Sequence, residues 1–481
     1  MSETSPSVLI LAAGQGKRMR SSLPKVLHTV AGEPMLFRIL DAILEAQPTA
    51  RVGLVVGVGK EQVIEAVRGV ERYQRLSLSF IEQKEQLGTG HAARVAMESE
   101  WGAEAVKAHS TVTVFPGDLP LIGVDLVRSL LGFSLSKSGS TVHILTTELP
   151  VPTGYGRILR DTKGEIIGIR EERDTTPEER VIREVACSIY SFEPAFLLQS
   201  LRNLKTENAQ KEYYLTDVLS EARKEGKQIT SLQWLHWEDL RGVNNLWELS
   251  EVARILNERI LRQHALEGGV YFEDPKTTWV SPHAKLGVGV RVGAGVRLEG
   301  ATEVASGAVI EDQVHLRDAL IGERVHLKAG TVIVESQVQA DAILGPYAHL
   351  RPGSVVGEKS KIGNFVELKK TQVGEKTSIA HLSYLGDAFV GDRVNIGCGF
   401  ITCNFDGRVI DGKRKHETII EDDAFIGSDC QAIAPIKIGR GAYIASGSTL
   451  TDEVEGDALA IARSRQVTKP GYARKLRGDS K

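Results

Sequence analysis

"WVSPHAKLGVGVRVGAGVRLEGATEVASGAVIEDQVHL", residues 279–316, carries an aliphatic side chain at every sixth position: Val280, Leu286, Val292, Leu298, Val304, Ile310 and Leu316. Glycines, small and polar residues fill the places between. An amphipathic helix needs apolar residues three or four apart and a half-buried strand needs them two apart, so a period of six suits neither. It suits a hexapeptide parallel β-helix, whose flat coils stack their aliphatic side chains into one core. After one-residue slips and irregular turns the count resumes at Leu344, Leu350, Val356, Ile362 and Leu368, then at Val373, Ile379 and Leu385. It resumes once more at Ile420, Ile426, Ala432, Ile438, Ile444 and Leu450. The period sets the architecture and leaves its handedness open.

Upstream of Tyr271 the pattern is different. Up to about residue 245, apolar runs alternate with helical stretches: "RVGLVVGVG" then "KEQVIEAVRGV", "LSLSFIEQ" then "HAARVAMES", "TVTVF" then "GVDLVRSLLGF". That alternation predicts βαβ units and a mostly parallel sheet. Between the two halves, Leu249, Val252, Ile255, Leu256, Ile260 and Leu261 fall at helical spacing, and Gly268 and Gly269 supply a stop. Residues 246–267 therefore read as a linker helix between an α/β domain over 1–245 and a β-helix domain over 268–481.

Bulk properties narrow the function. The 481 residues are 42% hydrophobic and 25% charged, ordinary for two or three domains with real cores. A net charge of −3 supplies no basic field for a nucleic-acid polymer, so a nucleotide partner should be small. The start "MSETSPSVLILAAG" lacks the basic region and apolar length of a signal sequence, and nothing later is long enough to span a bilayer, so a cytoplasmic location with no membrane partner is expected. Cys187, Cys398, Cys403 and Cys430 show neither CxxC pairing nor zinc-finger spacing and are expected to be buried, reduced thiols.

Two stretches carry chemistry in the first half. "LAAGQGKRMRSSLPKVLH", residues 11–28, follows the apolar run Val8, Leu9, Ile10, which places its glycines at the carboxyl end of a strand, where ligands of open α/β sheets gather. Gly14 and Gly16 let backbone amides approach phosphate oxygens, while Lys17, Arg18 and Lys25 add charge; a nucleoside triphosphate is the anion this suits. "FPGDLPLI", residues 115–122, places Asp118 after another strand at the same edge, where one aspartate with phosphate oxygens and water suffices for Mg²⁺. An isolated glycine turn or aspartate also has a purely structural reading, a common turn or a solvated side chain, and the combination is what raises both above it.

With "EQLGTGHA" at 85–92, "PTGYGR" at 152–157, "EYYLTD" at 212–217 and "GVNN" at 242–245, these stretches resemble the sugar-1-phosphate nucleotidyltransferases. "AHLSYLGDAFVGDRVNIGCGFITCNFDG", residues 380–407, resembles the acetyltransferase motif of one branch. Nearly the whole chain is similar to the bifunctional bacterial N-acetylglucosamine-1-phosphate uridyltransferases that are also glucosamine-1-phosphate N-acetyltransferases. The resemblance implies a Rossmann-like nucleotidyltransferase domain with a mostly parallel sheet, joined by a helix to a left-handed parallel β-helix of hexapeptide repeats.

In the first domain it implies that Leu11, Ala12, Ala13, Gly14, Gln83, Gly88 and Thr89 surround the uracil and ribose of UTP. Arg18 and Lys25 would hold the phosphates and carry catalysis, Asp118 and Asn244 would ligate Mg²⁺, and Gly156 and Glu171 would contact the N-acetylhexosamine. In the second it implies that His381 is the base that activates the 2-amino group of glucosamine 1-phosphate against acetyl-CoA, a task suited to imidazole. Arg351 and Lys369 would clamp the sugar phosphate, Tyr384 and Asn395 would fix the hexose, and Cys398, Asn404, Phe405, Ser428, Ser446 and Arg463 would surround the coenzyme. The family forms homotrimers with acetyltransferase sites between subunits. Its product, UDP-N-acetylglucosamine, feeds peptidoglycan and, where present, lipopolysaccharide synthesis.

The chain departs from the family pattern at several places. Ala186 in "EVACSIYSF" stands where an asparagine amide is expected, Lys17 where threonine is common, Phe405 for tyrosine, and Cys398 and Ser446 for alanine-like residues. "GRVIDGKRKHET" is a longer, basic loop whose simplest reading is a solvated surface, and the basic tail "KPGYARKLRGDSK" is expected to fray. Two competing readings are a nucleotidyltransferase for another sugar phosphate with a purely structural β-helix, and a noncatalytic trimeric scaffold. His381, Arg351 and Lys369 oppose the first; Lys25, Asp118 and Asn244 oppose the second.

Overall fold

The computed structural model describes residues 5–208, 211–409 and 412–478. Part of the basic loop (residues 410 and 411), the end of the tail (479–481) and the first four residues of the N-terminal segment lie outside the described residues. The chain divides into two compact units, Met1–Leu256 and Asn257–Lys481. The division falls inside one continuous helix, Leu246–Leu266.

The first unit is built on nine strands: β1 (Ser7–Leu11), β2 (Arg51–Val56), β3 (Ser77–Glu82), β4 (Val112–Pro116), β5 (Val142–Glu148), β6 (Arg157–Arg160), β7 (Ile166–Arg170), β8 (Glu184–Phe192) and β9 (Ile229–Gln233). Their order is β9-β5-β8-β4-β1-β2-β3, with β6 paired to both β8 and β7. β1 runs parallel to β2 and β4, β2 to β3, and β9 to β5, while β8 is antiparallel to β4 and β5. Val8 and Ile10 pack into one apolar cluster and Leu9 into another, and all three are fully buried. Helices cover both faces of a doubly wound sheet, which is why its central strand reads as an unbroken apolar run rather than an alternation. β1 and β4 end side by side, Leu11 opposite Pro116. The loops that follow them therefore emerge at one sheet edge, as expected for an α/β ligand site.

The second unit consists of short parallel strands in two sheets of 11 and 17 strands. Arg291 pairs with Val309, Val309 with His326 and Ser378 with Asn395, so a coil takes 18 or 17 residues. An 18-residue coil holds three hexapeptides, and a 17-residue coil accounts for each one-residue slip in the count. Every aliphatic residue of the six-residue count lies in one core cluster, Leu286 being partly buried at its margin. One coil is longer: Asn395 pairs with Phe425, because the loop between strands Ile401–Cys403 and Thr418–Ile420 is inserted there.

All four cysteines are free, yet only Cys187 and Cys430 are buried. Cys398 and Cys403 are half-exposed because they occupy coil positions outside the stacked aliphatic columns, which corrects the expectation of four buried thiols. Among the described residues, no helix is long and apolar enough to cross a membrane.

Candidate functional site

In the first unit the glycine loop is shaped by two contrasting glycines. Gly16 has φ +59°, and a Cβ there would lie 2.8 Å from Lys25 Cβ; Gly14 has open space around it. Two short helical turns follow, Lys17–Met19 and Lys25–Leu27. They leave Arg18 exposed and hold Lys25 half-buried against the sheet edge.

Lys25 Nζ bonds to Asp118 Oδ2 and lies 3.2 Å from Asn244 Oδ1, which also accepts from Arg18 Nη2 at 2.8 Å. Asp118 is tied to the same segment by its carbonyl, which accepts from Val243 N at 3.1 Å. Asn244 owes its position to the start of the helix beginning at Leu246. Asn245 caps it by accepting from Glu248 N at 3.0 Å, and the Glu248 carboxylate accepts from Asn245 Nδ2 at 2.6 Å and from Asn244 N at 2.7 Å. Glu248 was not among the residues singled out, though its spacing from Asn245, N-x-x-E before an apolar run, is the signature of such a cap.

These contacts test whether a divalent ion fits. The Asp118 and Asn244 side-chain oxygens already converge on one cation, the Lys25 ammonium. Among the described residues no three His, Cys, Asp or Glu side chains gather as a ligand group. An ion here would draw its remaining ligands from phosphates and water, as Mg²⁺ does. The donor set fits.

A second group forms around the helix Thr89–Met97. Gln83 is buried, with Nε2 donating to Gly88 O at 3.3 Å and lying 3.0 Å from His91 Nδ1. Burial holds the His91 imidazole below its ordinary pKa, hence neutral near pH 7. Gly88 has φ +106°, and a Cβ there would meet Tyr213 O at 2.6 Å. Thr89 Oγ1 accepts from Leu215 N at 3.2 Å and Gly90 N donates to Tyr213 O at 2.8 Å. The "EQLGTGHA" and "EYYLTD" stretches are thus stitched together by the backbone.

Gly156 and Glu171 are likewise neighbours, 3.6 Å separating a Cβ on the former from Glu171 Oε2. Glu171 accepts from Thr216 Oγ1 at 3.2 Å, and burial, with Asp217 and Asp174 nearby, pushes its carboxyl pKa up. Ala186 N donates to Gly156 O at 2.9 Å, so the backbone geometry at that point stands without the expected amide side chain. The strand bulges just after it, with Ser188 at φ +58°.

In the second unit the register of the coils assembles the groups. Arg351 pairs with Lys369, and Lys369 with Gly386, on successive coils. Arg351 Nη1 donates to Glu367 Oε1 at 3.0 Å, and Lys369 Nζ is 3.9 Å from Asp387 Oδ2, which accepts from Asn404 Nδ2 at 2.5 Å. Tyr384 packs its hydroxyl over Gly386, where any side chain would collide with it.

His381 is exposed at the end of strand Ser378–His381, with Nδ1 2.6 Å from Asn364 Oδ1. It belongs to one corner of the stack. Gly399 N donates to His381 O, Asp429 N to Cys398 O and Gly447 N to Ser428 O. Arg463 Cδ is 3.8 Å from a Cβ on Gly447, and Ser446 Oγ accepts from Ser428 N at 3.2 Å. His381, Cys398, Ser428, Ser446 and Arg463 thus form one vertical line, although 82 positions separate the first from the last.

Asn395 lies apart from the Arg351–Lys369 column: it pairs with Ser378 and Phe425 on the other sheet. Phe405 is exposed beside the inserted loop, with Lys415 Nζ 4.2 Å from its ring centroid.

Residues 8–176 match the family described as MobA-like NTP transferase domain, and residues 417–452 match bacterial transferase hexapeptide (six repeats). A protein of Syntrophotalea carbinolica named Bifunctional protein GlmU is 43% identical over 480 residues, covering 99% of this chain and 98% of that one. Proteins of the same name from Trichlorobacter lovleyi and Carboxydothermus hydrogenoformans are each 42% identical, covering 98% and 97% of this chain and 98% and 99% of theirs.

Proposed function

The chain belongs to the family of the bifunctional protein GlmU, and from that premise we infer that it makes UDP-N-acetylglucosamine in two steps, for peptidoglycan synthesis. It acetylates glucosamine 1-phosphate with acetyl-CoA, then transfers UMP from UTP to the product and releases pyrophosphate. Uridylyl transfer is assigned to residues 1–245 and acetylation to 268–481, with 246–267 as the linker helix. The observation that carries the bifunctional reading over a structural β-helix is the vertical line from His381 to Arg463 beside the Arg351–Lys369 pair.

In uridylyl transfer a phosphate oxygen of N-acetylglucosamine 1-phosphate attacks the α-phosphorus of UTP in line, and pyrophosphate departs. Arg18 and Lys25 hold the phosphates and offset the charge that gathers there. Leu11–Gly14, Gln83, Gly88 and Thr89 seat the nucleoside, and Gly156 and Glu171 seat the sugar. Asp118 and Asn244 would hold a divalent ion, Mg²⁺, which would supply further neutralisation of the triphosphate.

In acetyl transfer His381 takes a proton from the 2-amino group as its nitrogen attacks the thioester carbonyl; the tetrahedral adduct collapses with cleavage of the C–S bond, the proton on His381 passes to the departing sulfur, and the coenzyme leaves as the thiol. Arg351 and Lys369 clamp the sugar phosphate, and Tyr384 and Asn395 orient the hexose. Cys398, Asn404, Phe405, Ser428, Ser446 and Arg463 seat the coenzyme. The working form is a cytoplasmic homotrimer, in which Asn395 of one subunit need not serve the same site as its own Lys369.

The deciding experiment measures Mg²⁺-dependent pyrophosphate release from UTP with N-acetylglucosamine 1-phosphate or glucose 1-phosphate. Strong preference for the amino sugar is expected. Equal or reversed preference assigns the first unit to another sugar, the outcome Ala186 would explain, and no release at all leaves a scaffold. His381→Ala is expected to abolish acetylation and leave uridylyl transfer intact; loss of both in a folded protein would overturn the assignment of the two steps to separate sites.

A further inference from the structure

Acetyl transfer by His381 requires one ring nitrogen to be bare in the neutral imidazole, and a neutral imidazole carries its single N–H on one nitrogen or the other. Which one is set by the partner of the nitrogen that does not react. Asn364 and His381 occupy the same corner position on successive coils: they are register partners, and Leu382 N donates to Asn364 O at 3.0 Å. Gly363 permits this, since any side chain there would collide with the Ala380 carbonyl. The result is an Asn364 Oδ1 2.6 Å from His381 Nδ1. On the coil above, the same position is Cys398, joined to His381 only through the backbone bond from Gly399 N. Glu367 and Asp387, on the other sheet, are engaged by Arg351 and Asn404.

We propose that Asn364 is a positioning residue for acetyl transfer: its carbonyl oxygen accepts the Nδ1–H of His381 and keeps Nε2 as the bare nitrogen that receives the amine proton. A carbonyl oxygen can only accept, so this pairing selects the Nδ1–H tautomer and pins the ring plane of an otherwise exposed side chain. The bond survives when Nε2 gains its proton, because Nδ1 remains a donor in the imidazolium. The inference rests on His381 being the base.

The test uses the full-length protein with Asn364→Leu, which removes the acceptor at similar size, and Asn364→Asp, which keeps one. Asn364→Leu is expected to lower kcat for acetylation by about tenfold or more, with KM for glucosamine 1-phosphate and acetyl-CoA within about twofold and uridylyl transfer unchanged. Asn364→Asp is expected to recover most of the loss, which a purely structural role would not require. Wild-type kcat in Asn364→Leu, or no recovery in Asn364→Asp, overturns the proposal. Should the leucine variant fail to fold, Asn364→Ser, too short to reach the ring, takes its place with the same expectations. His381→Ala assayed in parallel separates the two levels: retained acetylation there removes the base itself, whereas an inactive His381→Ala beside a fully active Asn364→Leu removes only the role of Asn364.

Discussion

Lys25 shows how much one side chain depends on residues far along the chain. Its ammonium meets Asp118 and Asn244, 93 and 219 positions away, and only 14% of the side chain is exposed. Lys25→Met keeps the length and removes the charge, and is expected to cut uridylyl transfer by about a hundredfold while acetylation persists; pyrophosphate and coenzyme-release assays on one preparation check both. Gly16→Ala acts on the same group indirectly. A Cβ in that left-handed conformation meets Lys25 Cβ at 2.8 Å, so the backbone and the lysine stem must shift. A loss of about tenfold or more in uridylyl transfer is expected, since small misplacements are costly to in-line geometry; an unchanged rate would show that the stem relaxes freely. Asp118 was legible beforehand because it directly follows an apolar strand, and Lys25 because it closes a glycine-rich basic loop that leaves another. Asn364 was not, because an asparagine 17 positions before a histidine has no local signature and acquires one only when two coils come into register.

The two kinds of element in this chain carry their signals differently. The helix Leu246–Leu266 announces itself by apolar spacing, but its function in the site comes from its first turn, where Glu248 holds both Asn245 and Asn244. Glu248→Ala is expected to cost about 1 kcal/mol, as helix-cap losses do, and also to weaken uridylyl transfer by freeing Asn244. A denaturation curve paired with the pyrophosphate assay checks the two effects together; a stability loss without a rate loss would detach the cap from the site. In the β-helix the hexad aliphatics of the inner coils are enclosed by coils above and below, and Ile379 is fully buried. Ile379→Ala should destabilise the second unit by about 2–5 kcal/mol, read from its unfolding midpoint. The strands there are two to seven residues long and lack the alternation of ordinary strands, so only the six-residue period made them readable.

The whole of the second unit is laced by exposed ion pairs along its coils. Asp341 is held below the ordinary carboxylate range by its hydrogen bond from Arg324, Asp423 by Arg393 and Glu421 by Lys437. A carboxylate with a lowered folded pKa contributes stability above its unfolded value, near 4, and loses it as pH falls through the folded value. The thermal midpoint of the second unit should therefore hold from pH 7 to about pH 5 and decline below about pH 4, with high salt shrinking the decline. A midpoint unchanged down to about pH 3 would mean that these pairs have no net part in stability. What the amino-acid order determined by itself was periodic: a six-residue repeat that can bury its aliphatics only as stacked coils, and apolar runs alternating with helices that can bury theirs only as a covered parallel sheet. What the tertiary structure alone decided was which distant groups meet. Arg18 reaches Asn244 across 226 positions, and Asn364 reaches His381 through coil register. Periodicity reports which face of a segment leaves water; it carries no information about the register between segments, and that register brings the polar groups together.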